Sequence, residues 1–343
     1  KGPVEDAQLI ESEEDLLQTF GQPYSIDNHY EYWMVASSFL AYGGVLQVIR
    51  ADDFNTQTGV GLKNAFVGTA SSIRIKSDTH YNQLGYDDNT ITGVTVASKT
   101  PGTYANGIRV AIIDSKADQV LTVSGISTVG LGITQSAAGR IVAGAAGTSV
   151  LDGYIKGIVT EVGTGTISVK TLAHVSTAGT VTNVNYQNGG VYNFATGNIS
   201  ASAAGTNVGG TAVNVTAVTD WFESQNIVLT QTDANGNPIS LEWDQLADAP
   251  GTSSYAAARG GRFDEVHVVV IDDKGTITGN AGTILEKHLS LSKAKDAEYS
   301  VGSTAYWRKY LATNSQYIYG GSSPAGITTS GFTGGTATAV GSL

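Results

Sequence analysis

At 343 residues with no cysteine, the chain has room for two or three domains of roughly 150 residues each, held without disulfides, Cys-ligated zinc or thiol chemistry. Its formal net charge of -11 repels phosphate backbones and anionic headgroups, so neither nucleic acid nor a membrane is an expected partner. No apolar run approaches the roughly 20 residues that span a bilayer, and the opening Lys1, Gly2, Pro3 and Val4 has neither an initiator Met nor a signal-peptide pattern, so the sequence reads as a trimmed piece.

In chain order, the first helix signature is complete. Ser12 serves as N-cap, Glu13, Glu14 and Asp15 load the first turn with negative charge, Leu16, Leu17 and Phe20 form an apolar stripe, and Gly21 with Pro23 ends the helix. A second helix is predicted over residues 29–42, capped near Asp27, with Tyr30, Trp33, Met34, Ser37 and Ala41 on one stripe. Gly43 and Gly44 stop it, and residues 45–49 become a strand. The run 108–113 is a further strand.

Residues 119–219 are a different material. Their only charges are Arg140, Asp152, Lys156, Glu161 and Lys170. Alternating stretches at 167–170, 181–186 and 213–215, with the Gly189-Gly190 turn, predict short antiparallel strands in a barrel or sandwich. Beyond them, residues 266–271 (VHVVVI) read as a strand buried on both faces, and Asp272, Asp273, Lys274 and Gly275 supply a turn. After Gly282, the residues Ile284, Leu285, His288, Leu289 and Leu291 recur at roughly helical spacing. A helix returning over the sheet is therefore expected, with Lys287, Lys293 and Lys295 on its solvated face. A short helix at 304–311, a strand at 317–319 and a flexible Gly/Ser/Thr-rich linker after Gly320 complete the chain. The fold class expected is α+β or α/β: a mixed-sheet core with flanking helices over residues 1–118 plus 220–343, interrupted by an inserted β-rich domain over 119–219.

Three predicted strands end in acid, at Asp52-Asp53, Asp114 and Asp272-Asp273. Converging at one sheet edge, such carboxylates could hold Mg²⁺ for phosphoryl transfer. No phosphate-binding loop or dinucleotide fingerprint accompanies them, and Asp is common after strands because it bonds nearby backbone amides. On that reading, Asn at positions 272 and 273 should cost little. His29, His80, His174, His267 and His288 show no metal-binding spacing, and no Ser sits in a nucleophile elbow. Arg259-Gly260-Gly261-Arg262 reads as a tight loop whose arginines reach carboxylates such as Asp264 or a neighbour's acids, rather than as an RNA-binding element. No catalytic residue, cofactor or metal ligand is assigned.

Three ordered blocks carry a resemblance. The first runs from Gly2-Pro3-Val4 through Tyr32-Trp33-Met34 to residues 40–45 (LAYGGV) and 48–51 (VIRA); the second is residues 101–106 (PGTYAN) leading into 108–114. The third is residues 259–296, continuing to Tyr306-Trp307 and residues 317–321 (YIYGG). Together they resemble the tail sheath proteins of contractile-tailed, T-even-like bacteriophages. The resemblance implies a non-enzymatic structural subunit of the virion tail, assembled in the host cytoplasm as stacked six-fold rings around a tail tube. Contraction drives the tube through the host envelope. The tube, baseplate and tail terminator proteins are the implied partners, besides further copies of the subunit. Family members carry a variable outer β-domain on an α/β core, and terminal arms that add strands to a neighbour's sheet. Both arms and the receiving sheet are expected to be missing here, which predicts a monomer at micromolar concentration. The sheath of a tailocin or secretion machine is a related alternative; a Mg²⁺-dependent phosphoryl-transfer enzyme and a β-rich adhesin are rivals of other classes.

Overall fold

The computed structural model describes residues 1–23, 28–52, 55, 60–87, 91–144, 147–202, 211–322 and 328–331. The fold is mixed and β-rich, and includes a curled antiparallel half-barrel sheet. Its contacts divide it into two units: Lys1–Asp114, Val228–Ile239 and Pro250–Leu343 form one, and Ser115–Ile227 with Ser240–Ala249 form the other.

The first unit opens with strand β1 (Gln8–Ile10) and helix α1 (Glu13–Phe20). Ser12 is extended and its hydroxyl accepts from the Asp15 amide at 3.1 Å, while Gly21 leaves the helix at φ 83°, so the cap and stop residues act where the sequence put them. Helix α2 (Asn28–Ala41) follows; Asp27, its expected cap, lies outside the described residues. Strand β2 (Leu46–Val48) pairs antiparallel with β1, and Ile10, Leu16, Trp33 and Leu40 form a small core between these elements. The inward stripe of α2 is Trp33, Ser37 and Leu40; Tyr30, Met34 and Ala41, expected beside Trp33, are exposed. Strands β3 (Asn64–Gly68), β4 (Val94–Pro101) and β5 (Ile108–Asp114) follow, with helix α3 (Asp78–Gln83) between β3 and β4.

The second unit takes its strands next in the chain: β6 (Gln119–Thr122), β7 (Gly132–Ser136), β8 (Ile141–Gly144), β9 (Gly147–Val150), β10 (Tyr154–Gly163), β11 (Thr166–Val175), β12 (Val181–Asn183), β13 (Gly197–Ser202), β14 (Thr211–Val215) and β15 (Ala217–Asp220). Eight of them form one sheet in the order β14-β13-β7-β10-β11-β6-β15, with β12 also on β11. Period-two alternation sends Ile155, Val159, Ile167 and Val169 into a core with Leu121, Ile133, Phe194 and Ile199. The unit also buries an ion pair. Lys170 Nζ lies 2.6 Å from Asp118 Oδ1, the Thr171 amide donates to Oδ2 at 2.7 Å, and both charged side chains are more than nine-tenths buried. Burial pushes the Asp118 carboxyl above the ordinary range, against the pull of Lys170.

Strands β16 (Asn226–Thr232) and β17 (Pro238–Glu242) pair with each other. The remainder of the first unit is helix α4 (Ser254–Ala258), strands β18 (Glu265–Asp272), β19 (Thr283–Ser292), β20 (Glu298–Ser300) and β21 (Ser303–Thr304), helix α5 (Trp307–Asn314), and strands β22 (Ile318–Gly320) and β23 (Thr328–Gly331). Its central sheet has the order β19-β18-β5-β23, and β22-β4-β3 form a second. Val110, Ile112, Val266, Val268, Val270, Trp307 and Ile318 share its main core.

Two sequence expectations fail here. Residues 283–292 form strand β19, antiparallel to β18, not a helix; the unit is a hairpin. Its register slips twice, between Val266 and Val268 and between Val270 and Ile271, and Ser290 sits in the slip at φ 52°. Each bulge inserts a residue into the alternation, which makes the apolar spacing imitate a helix. The tail beyond Gly320 is not all linker, because β23 adds to the edge of β5, pairing residues 328–331 with Ile112, Ala111, Val110 and Arg109. The rest of the tail, residues 323–327 and 332–343, lies outside the described residues. Every strand ladder whose register is described is antiparallel, so the central sheet has α+β character, with no parallel crossover among these ladders.

Candidate functional site

Asp272 closes β18 and is fully buried. Its carboxylate accepts from the Thr276 amide at 3.0 Å, the Ile277 amide at 2.9 Å, the Thr278 amide at 2.7 Å and the Thr278 hydroxyl at 2.9 Å. Its carbonyl takes the Gly282 amide at 2.7 Å, so this single residue ties together the loop between β18 and β19. Gly275 turns the chain at φ 70°, and a Cβ there would lie 2.8 Å from the Ala281 nitrogen. Asp273 faces β16: it accepts from the Thr230 amide at 2.9 Å and from the Thr230 hydroxyl, and pairs with Arg109 at 3.0 Å. The Gln231 side chain donates to its carbonyl.

At the other end of β18, Asp264 accepts from the Ser253 amide at 2.9 Å, the Ser253 hydroxyl at 2.8 Å and the Ser292 hydroxyl. It thereby joins the start of α4 to the end of β19. The arginines expected to reach this carboxylate do other things. The Arg259 guanidinium lies 3.5 Å from the Tyr255 ring centroid and donates to the Tyr255 carbonyl at 3.3 Å. Arg262 lies 4.4 Å from the Phe263 ring, and Phe263 holds φ 60°, with its amide donating to Thr252 Oγ1 at 2.8 Å. Asp264 has its hydroxyl partners inside the unit, whereas Gly260 and Gly261 turn Arg259 out to an exposed surface.

The lysines separate too. Lys293 pairs with Asp114 at 2.9 Å, its amide donates to the Asp264 carbonyl at 2.9 Å, and Lys287 and Lys295 are exposed. They lie on β19 and the segment after it, so the helical face expected to carry them does not exist.

The strand-end acids do not converge. Antiparallel register sets Asp114 opposite Val266 and Asp272 opposite Ile108; the six steps between Val266 and Asp272 span roughly 20 Å. Asp52 belongs elsewhere, accepting from the Leu62 amide at 3.1 Å and pairing with Arg74 at 3.0 Å, and Asp53 lies outside the described residues. Among the described residues no group of three His, Asp or Glu side chains is placed to hold a metal ion. His267 accepts from the Ser290 amide at 2.9 Å inside the bulge, and His288 meets Glu286 at 2.9 Å.

A pH dependence follows from two of these carboxylates. Burial alone would raise Asp273, but Thr230 and Arg109 hold it below the ordinary 3.8; burial likewise opposes His288, Ser315 and Gln316 at Glu286, which still falls below 4.5. A carboxyl depressed by folding stabilises the fold above its unfolded pKa, and that contribution is lost as pH falls through the folded value. The contribution of these two carboxyls to stability should therefore be constant from neutral pH down to about 5 and fall away below about 4. Asp273→Asn should flatten the acid limb of the melting temperature; an identical limb in the variant would exclude this cause.

A feature that the helical spacing did not single out is the outward side of α2; the cluster of Tyr30, Tyr32 and Trp33 reads from sequence chiefly as core packing, with interface anchoring as the lesser reading. Tyr32 is 75%, Val35 70%, Phe39 49% and Tyr42, just past the helix, 94% exposed. Single exposed apolar residues are ordinary, but four in one stripe are not. Their spacing of three, four and three residues was present in the sequence, overshadowed by the inward stripe. No helix among the described residues is long and apolar enough to cross a membrane. Compared with known proteins, the chain matches no family profile and no curated relative.

Proposed function

We propose that the chain is the structural subunit of a contractile phage tail sheath, a non-enzymatic protein that stacks as six-fold rings around the tail tube and contracts to drive the tube through the host envelope. The observation that carries this reading is the set of three ordered blocks, spanning residues 2–51, 101–114 and 259–321. The fold adds support: the second and third blocks become the adjacent strands β5 and β18, paired over seven residues at the centre of the sheet. The acids there are already engaged by protein groups, Asp272 by its own loop, Asp273 by Thr230 and Arg109, and Asp114 by Lys293, as in a scaffold, and are not spaced for a shared cation. On this reading the unit of residues 1–114, 228–239 and 250–343 is the sheath's mixed core and the unit of 115–227 and 240–249 its outer β-domain. Tube, baseplate and terminator proteins are the partners, and the virion tail is the location.

Immunogold electron microscopy tests the proposal without requiring the chain to assemble by itself. Antibody raised against it, applied to virions from the source lysate, should label the tail shaft along its whole length, in extended and contracted tails alike. Gold confined to the head, the fibres or non-viral material would overturn the reading.

A further inference from the structure

We infer that the outward face of α2 is a self-pairing surface, on which a second copy of this chain docks its own α2 in antiparallel orientation. Tyr32, Val35, Phe39 and Tyr42 repeat at the three-then-four spacing of a two-helix seam. They form a stripe separate from the inward Trp33, Ser37 and Leu40, which are already covered. An α2 that is apolar on both sides needs two partners, and the unit supplies one.

Three properties select a second copy as the occupant. The stripe is self-complementary: turned antiparallel, Tyr32 meets Tyr42 and the small Val35 meets the large Phe39, so bulk faces space at the centre of the pair. The surrounding charge also favours it. In a chain of net charge -11, α2 carries a single acidic residue, Glu31, and the stripe itself carries none, so two copies approach here with little mutual repulsion. The area is sufficient. With aromatic side chains of about 150–250 Å² each, the exposed fractions sum to roughly 500 Å² per copy, or about 1,000 Å² in a pair, at the small end of specific interfaces. Phe39 is held for the contact, since its ring lies against Gly44, where a Cβ would come within 2.2 Å of it. On this inference the chain forms a weak, reversible dimer, where the resemblance implied a monomer at micromolar concentration.

Sedimentation equilibrium across the micromolar range, at low and high salt, is the first test. The wild-type chain should dimerise, with an affinity that salt leaves unchanged or strengthens, because the contact is apolar. Val35→Glu should weaken the dimer by at least about tenfold; Val35 is 70% exposed, so its thermal unfolding should match the wild type. Orientation is read by cross-linking, which the absence of native cysteine makes unambiguous. A mixture of Tyr32→Cys and Tyr42→Cys proteins should form the mixed disulfide faster than either homodimer. Faster homodimer formation, or a Val35→Glu chain that associates like the wild type, would overturn the proposal. A wild-type chain that stays monomeric at its highest soluble concentration would assign the face to a different polypeptide, and the proposal would fall. The inference stands on α2 alone: tail-shaft labelling can succeed where dimerisation fails, and the reverse.

Discussion

Lys170→Met should lower the stability of the β-rich unit by about 3–5 kcal/mol. Replacing the lysine leaves the Asp118 carboxylate buried without its counter-charge, with only the Thr171 amide still donating to it. Because burial already raises the Asp118 carboxyl, the variant escapes part of the cost by taking up a proton. Its deficit should therefore be greatest at neutral pH and shrink in acid: a carboxyl raised by folding contributes stability below its unfolded pKa, which is lost as pH rises through the folded value. Thermal unfolding followed by circular dichroism should show the affected transition falling by roughly 10 °C or more at pH 7. Pairing Lys170→Met with Asp118→Asn should recover much of the loss, since an amide oxygen can still accept from Thr171. A single variant as stable as the wild type at pH 7 would show that the pair is open to water.

Asp272→Asn should cost about 2–4 kcal/mol, against the expectation from sequence that Asn would serve the turn equally well. The residue is fully buried and both oxygens are in use, one by the Thr276 amide and the other by Ile277, Thr278 and the Thr278 hydroxyl. An Asn side chain keeps one acceptor and points an NH₂ group at donors, leaving buried N–H groups without partners. Urea unfolding should show a lower midpoint with an unchanged slope, and the amides of residues 276–278 should exchange faster. Equal midpoints in the two proteins would refute the loop-organising role of Asp272.

What was legible in the sequence depended on whether local chemistry and tertiary packing agreed. Helix α1 carried its own cap, charge and stop, and strands β5 and β18 were β-branched apolar runs interrupted only by Arg109 and His267. Strand β19 was not legible because its two bulges break the alternation on which strand reading rests. Strand β23 was hidden by a Gly/Ser/Thr composition suited equally to a linker, and its strand state comes from β5, more than two hundred residues earlier in the chain. The site residues divided along the same line. The turn role of Asp272 could be read locally, but its burial could not. The partners of Asp264, Ser253 and Ser292, flank it at distances in sequence that no motif marks.

The central sheet also has a mechanical character. A pull along the axes of β5 and β18 loads all seven residue pairs of their ladder together, in shear, and the ends are further clamped by the Lys293–Asp114 and Arg109–Asp273 ion pairs. A pull sideways on β23 meets only four pairs, which open one after another like a zip. The same sheet is thus stiff in one direction and yielding in another, with its weakest seam at the edge of β5. Force entering through the tail would detach β23 first and leave the bilaterally supported strands intact, so this edge would act as the unit's mechanical fuse.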